Sequence, residues 1–183
     1  MHLPSLQKCV LTGGLGFCGA SLLVFGTVAF AERWMYANLG LVGSYLIWTV
    51  LFVASSALVF NSLVADLWRG SRFCLLFSVA FIAYAAAWCG AYFILRGVQG
   101  EWLGSLLGTL LMAAVFATGF KKLRHLPFLA TLLFLTHSLG YFLGSALHSN
   151  IGGPTGMLLW GVSYGLFFGA GIGALLYWVQ KVD

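Results

Sequence analysis

Two histidines, His137 and His148, stand eleven residues apart in the stretch THSLGYFLGSALHSN, which is otherwise apolar or small. At 100° per residue that separation is three helical turns plus about 20°, so on a helix both share one face, about 16 Å apart along the axis. Gly140, Tyr141 and Gly144 fall between them. A neutral imidazole offers one hydrogen-bond donor and one acceptor. Set in the middle of an apolar run, an ionisable group is a functional-site hypothesis by default. The competing reading is an interhelical hydrogen bond that fixes packing. His148 reads as a residue of the membrane interface.

Depth along the apolar segments selects the partners that His137 can reach. Ser21, Thr49, Tyr84, Met112 and Tyr164 lie midway along theirs. Tyr164 is the first choice, because a short connection joins its segment to that of His137, and Tyr84 is the second. A phenolic hydroxyl can donate to one imidazole nitrogen or accept from the other. The expected ligand-binding set is His137, Tyr164, Tyr84, Tyr141, Thr49 and Ser163. It describes a small, weakly polar pocket with aromatic walls at mid-depth.

Other chemistries fit less well. Haem held between two histidines needs them on facing helices, and these two share one; His–Met ligation with Met112 or a dimer would be required. An intramembrane hydrolase would need a serine from another segment, such as Ser163, beside His137. There is no HExxH motif, paired carboxylate or Cys–His–Asp set. Glu32, Asp66, Glu101 and Asp183 all fall at segment ends, which argues against a carboxylate proton relay. Cys9, Cys18, Cys74 and Cys89 form no CxxC pair and read as small core residues. The expectation is a protein without cofactor or metal; enzyme activity stays open, with a non-catalytic role favoured over the hydrolase.

The elements that position these residues follow from composition. Hydrophobic residues make up 61% of the 183-residue chain and charged residues 7%, against roughly 25% charged in a soluble domain. So few charges cannot cover a water-facing surface, and the bilayer must be the solvent. The net charge of +5 is too scattered for a nucleic-acid face. Six segments approach the roughly 20 apolar residues that a crossing needs, at 10–31, 39–60, 73–95, 102–120, 127–147 and 155–178. Period-2 alternation is missing, so a barrel is not expected. The expected fold is an all-α, six-helix membrane bundle forming a single domain over 1–183.

Lys8, Arg69, Arg72, Lys121, Lys122, Arg124 and Lys181 would lie on one side, Arg33 and Arg96 on the other. That bias places both termini in the cytoplasm and the chain in the plasma membrane. The stretch VAFAER carries an Ala29-x-Ala31 pattern like a leader cleavage site, but the apolar run before it is too long, so an uncleaved first helix is expected. Arg69 and Arg72 read as an ion pair with Asp66 or as a lipid-headgroup site. An echo between LLFSVAFIAYAAAWCGA and LLWGVSYGLFFGAGIGA raises an inverted repeat of three plus three helices.

Glycines at spacing four, at 161, 165 and 169, at 140 and 144, and at 104 and 108, read as close helix contacts. The functional expectation is a membrane protein that binds or transports a neutral or amphipathic small molecule or lipid around His137. Its partners would be membrane lipids and a homo-oligomer or membrane subunit. The alternative is a non-catalytic scaffold whose glycine faces hold partner helices.

Overall fold

A computed structural model describes residues 4–181; Asp183 lies outside them. The described residues are helical almost throughout. The order is α1 (Leu6–Asn61), α2 (Ser71–Leu95), α3 (Gly97–Gly119), a 3-10 turn (Leu123–His125), α4 (Leu126–Ile151) and α5 (Gly153–Gln180). All five α-helices are long and apolar enough to cross a membrane.

Five helices replace the six expected. The predicted connection at residues 32–38 is helical, because Glu32, Arg33 and Asn38 carry no helix-breaking chemistry and a helix need not end where charges begin. The break comes at Gly40, with φ 66 and ψ −179, a conformation open in practice to glycine alone. A straight α1 of 56 residues would measure about 84 Å. Instead its two arms, 6–39 and 41–61, lie against each other. The Trp48 indole donates to the Thr27 hydroxyl across 2.9 Å. The Phe17 ring sits 5.4 Å from Phe52 and 5.8 Å from Phe60.

The remaining connections are shorter than the sequence suggests. Arg96 alone, at φ 54, separates α2 from α3. The expected loop HSNIGGPTG is mostly helical; α4 runs on to Ile151, and Gly152, at φ 71, is all that divides it from α5. Pro127 and Pro154 stand in first turns, where a missing N–H costs nothing. The longer connector after α1 is held from a distance. Gln180 accepts from the Ala65 N–H (2.7 Å) and donates to the Leu63 carbonyl (3.1 Å).

Helix α5 is the centre of the bundle. Its glycines remove the side chains that would keep neighbours away. A Cβ on Gly169 would lie 2.5 Å from the Gly13 carbonyl, and one on Gly165 would lie 2.5 Å from the Cys18 Cα. Gly140 and Gly144 of α4 admit α5 in the same way, against Ser163 and Trp160. In lipid, such backbone contact supplies the packing energy that water would supply elsewhere. The two halves are packed unequally: α4 closes tightly on α5, whereas the second arm of α1 leaves hollows against α2.

Candidate functional site

Three mid-helix side chains meet behind these contacts. Tyr84 projects from α2, His137 from α4 and Tyr164 from α5, and all three are buried. The Tyr84 hydroxyl lies 2.6 Å from His137 Nε2 and 3.1 Å from the Tyr164 hydroxyl. Tyr84 is therefore the middle member of a hydrogen-bonded chain that ties three helices together. Phe168 packs edge-on to the imidazole at 4.9 Å, and Tyr141 stacks on it at 5.8 Å with an interplanar angle of 10°.

The chain has two proton arrangements. If Tyr84 donates to Nε2, the imidazole proton sits on Nδ1, which is buried and has no partner. If Nε2 donates to Tyr84, then Tyr84 donates to Tyr164, and Nδ1 is left as a bare acceptor. The first arrangement strands a donor and the second strands an acceptor and the Tyr164 proton. Neither satisfies every group, so the tyrosine end can take one more hydrogen bond.

That end opens on a cavity of about 290 Å³. Tyr84, Tyr141 and Tyr164 line it with Phe25, Phe52, Phe81 and Trp88. No charged side chain lines it. His137 does not reach its surface; the imidazole is fully buried behind Tyr84. The centre of the site is thus the tyrosine pair, with His137 as its support.

The other expected members divide. Tyr141 is at the site. Ser163, the residue before Tyr164, is buried and turns its carbonyl toward Gly140, while the Nε2 bond goes to Tyr84. Thr49 is elsewhere: its hydroxyl donates to the Tyr45 carbonyl at 2.8 Å, and it lines a separate hollow with Val53 and Cys74. Arg69 pairs with Asp66 at 3.2 Å, and the Arg72 guanidinium sits 4.1 Å above the Trp68 ring. Their charges are engaged locally. His148 faces Trp160 at 5.6 Å and lines a hollow with Glu32 and Arg33, far along α4 from His137.

Sequence reasoning missed Trp88, Phe81 and Phe52. Trp88 follows Tyr84 by one helical turn, so the i, i+4 rule could have found it once Tyr84 was chosen. Among the described residues, no group of three His, Cys, Asp or Glu side chains is placed to hold a metal ion. Comparison with protein-family models, with curated proteins and with solved structures finds no match.

Proposed function

We propose that this chain is an integral plasma-membrane protein that binds, and carries within or across the membrane, a neutral or amphipathic small molecule or lipid. The observation that carries the reading is the uncharged aromatic cavity lined by the hydrogen-bonded Tyr84 and Tyr164, with Tyr45, Tyr141 and Trp88 beside them. Ligand sites are mostly apolar hollows with a few placed polar groups. In the arrangement in which Nε2 donates to Tyr84, a neutral oxygen at the hydroxyl edge would accept the Tyr164 proton that the protein leaves unpaired.

In the same reading each arm of α1 crosses the membrane once. The arm 41–61 is about 31 Å long, close to the roughly 30 Å hydrocarbon layer. Six crossings follow, with both termini on one side. Arg69, Arg72, Lys121, Lys122, Arg124 and Lys181 would share that side, which the positive-inside bias makes cytoplasmic. An inverted repeat of three plus three crossings fits that count, with the tight α4–α5 pair and the open pair of 41–61 and α2 as unequal counterparts. The scaffold alternative loses ground on one point. The glycine faces of α4 and α5 meet other helices of this chain and are not free for a partner.

Native mass spectrometry of the whole protein released from lipid nanodiscs tests the reading. The expected result is a retained neutral compound that is lost in Tyr84→Phe and Tyr164→Phe variants that still fold. A bare wild-type chain, with tryptophan emission unchanged by any added neutral lipid, would overturn it.

A further inference from the structure

The aromatic cavity continues outward. Tyr45, on the second arm of α1, and Cys89, on α2, line both the inner cavity and a second hollow of about 260 Å³. The outer hollow is completed by Leu41, Val42, Leu46 and Phe93. Each of those four is at least 60% exposed, so in a membrane-spanning chain they face hydrocarbon. The two hollows therefore adjoin at Tyr45 and Cys89, on a line from the exposed face to Tyr84 and Tyr164. No charged side chain lines either of them.

The walls of these hollows differ in firmness. The back wall is α5, seated on the first arm of α1 by backbone contact at Gly165 and Gly169. The front wall is the arm 41–61, which turns back at Gly40 and meets the first arm through the Trp48–Thr27 hydrogen bond and the Phe17–Phe52 contact. Against α2 the front arm is held by ring contacts, Phe52 to Phe81 at 5.5 Å and Phe60 to Phe77 at 5.4 Å, with hollows between them.

From these adjoining hollows, and resting on the pocket reading above, we infer that the seam between Tyr45 and Cys89 is a lateral portal for a single-chain lipid with one uncharged oxygen at its head. The inner cavity, about 290 Å³, is just below the usual range for ligand sites, about 300–1,000 Å³, and suits one chain better than two. A charged head would stand among Phe25, Phe52 and Phe81 with no counter-charge, an arrangement strongly penalised in low dielectric. An alcohol or carbonyl oxygen can bond the hydroxyl pair while its chain trails through the portal.

The test uses the full chain in lipid nanodiscs, with 1-dodecanol as probe. One variant keeps Cys89 alone (Cys9, Cys18 and Cys74→Ala), and a second keeps Cys74 alone. Cys74 lines the separate hollow with Thr49 farther along the same seam, and so serves as the control. A lipid-soluble maleimide should modify Cys89, and a charged, membrane-impermeant maleimide should not. At about ten times its dissociation constant, dodecanol should slow Cys89 modification about ten-fold by simple occupancy and leave Cys74 unchanged.

Dodecane, which lacks the hydrogen bond, should bind about ten-fold more weakly, and dodecyl phosphate should not protect. Ala85→Phe, which fills the inner cavity, should abolish protection by dodecanol. Saturable tryptophan quenching by dodecanol that is lost in Tyr84→Phe, with Cys89 modification unaffected, would overturn the portal and leave the pocket standing. No saturable quenching at all would overturn both. Rapid labelling of Cys89 by the charged reagent, or equal protection by dodecyl phosphate, would overturn the lateral route or the uncharged head.

Discussion

Removing the middle of the buried chain should cost more than removing either end. In Tyr84→Phe the ring remains and one oxygen goes. His137 then keeps no partner at Nε2, and Nδ1 has none already. A buried polar group left unpaired costs about 1–3 kcal/mol. In Tyr164→Phe, Tyr84 still has His137 at 2.6 Å, so the cost should stay below about 1 kcal/mol. A double-mutant cycle separates the bond from the packing. Interhelical hydrogen bonds in membranes average about 0.6 kcal/mol of coupling and reach about 1.7. The Tyr84–His137 contact is short and fully enclosed, so Tyr84→Phe with His137→Leu should couple near that upper value. The longer Tyr84–Tyr164 contact, at 3.1 Å, should couple near the average. Reversible unfolding in mixed detergent micelles, followed by near-ultraviolet circular dichroism, gives each corner of both cycles. Couplings under about 0.3 kcal/mol are within ordinary additivity error, and such a value for the Tyr84–His137 pair would refute the claim that this chain orders the site. Tyr164→Phe costing more than Tyr84→Phe would refute the assignment of Tyr84 as its centre.

Packing offers a second check. Gly169→Ala drives a methyl group onto the Gly13 carbonyl and the Phe17 Cβ, and should lose about 1–3 kcal/mol. Gly26→Ala meets open space and should be neutral or gain up to about 1 kcal/mol from helix propensity; thermal unfolding of the two variants checks the contrast. Gly40→Ala places a side chain at φ 66, ψ −179, and should cost about 1–3 kcal/mol of strain by the same measurement. Reporter groups attached at Asn38 and at Lys122 should be reached by an impermeant reagent from opposite sides of a sealed vesicle, and reach from one side would refute six crossings. Gln180→Leu leaves the Ala65 N–H and the Leu63 carbonyl without their bonds, and should speed hydrogen exchange in the connector 62–70 more than in the α5 core.

Depth is what a greasy sequence encodes well. Counting residues from segment ends brought Tyr84 and Tyr164 to the level of His137, and the structure joins all three. Rotation about the helix axis is encoded poorly when apolar residues surround the helix on every side. Thr49 has the right depth and the wrong azimuth: it lines a different hollow from Tyr84 and bonds its own helix. Ser163 precedes Tyr164, so about 100° of helix rotation separates their directions. The end of the first helix was misread for a related reason. Glu32 and Arg33 mark where hydrocarbon should stop, yet a helix satisfies its own backbone and can run on into water. Only the φ of Gly40 fixes the corner, and many of the 24 glycines have no such role.

The unequal packing of the bundle gives the site its logic. A binding pocket in lipid cannot be held open by the hydrophobic effect, because the surrounding solvent is as apolar as its walls. Rigidity has to come from backbone contact and hydrogen bonds. Both are present where glycines seat α5 on the first arm of α1 and on α4, and Tyr84 links α2 to His137 and Tyr164. The other side holds the aromatic rings of Tyr45 and Phe52 on an arm that turns at Gly40 and is tied to the first arm by the Trp48–Thr27 hydrogen bond and the Phe17–Phe52 contact. The His137–Tyr84–Tyr164 chain therefore sits on the glycine-packed side, where its spacing is preserved, and the front arm presents mainly aromatic and aliphatic side chains to the two hollows. A charged substitution on the front arm, such as Leu46→Asp, should therefore impair insertion and access together, whereas Leu46→Phe should alter only the rate at which dodecanol protects Cys89.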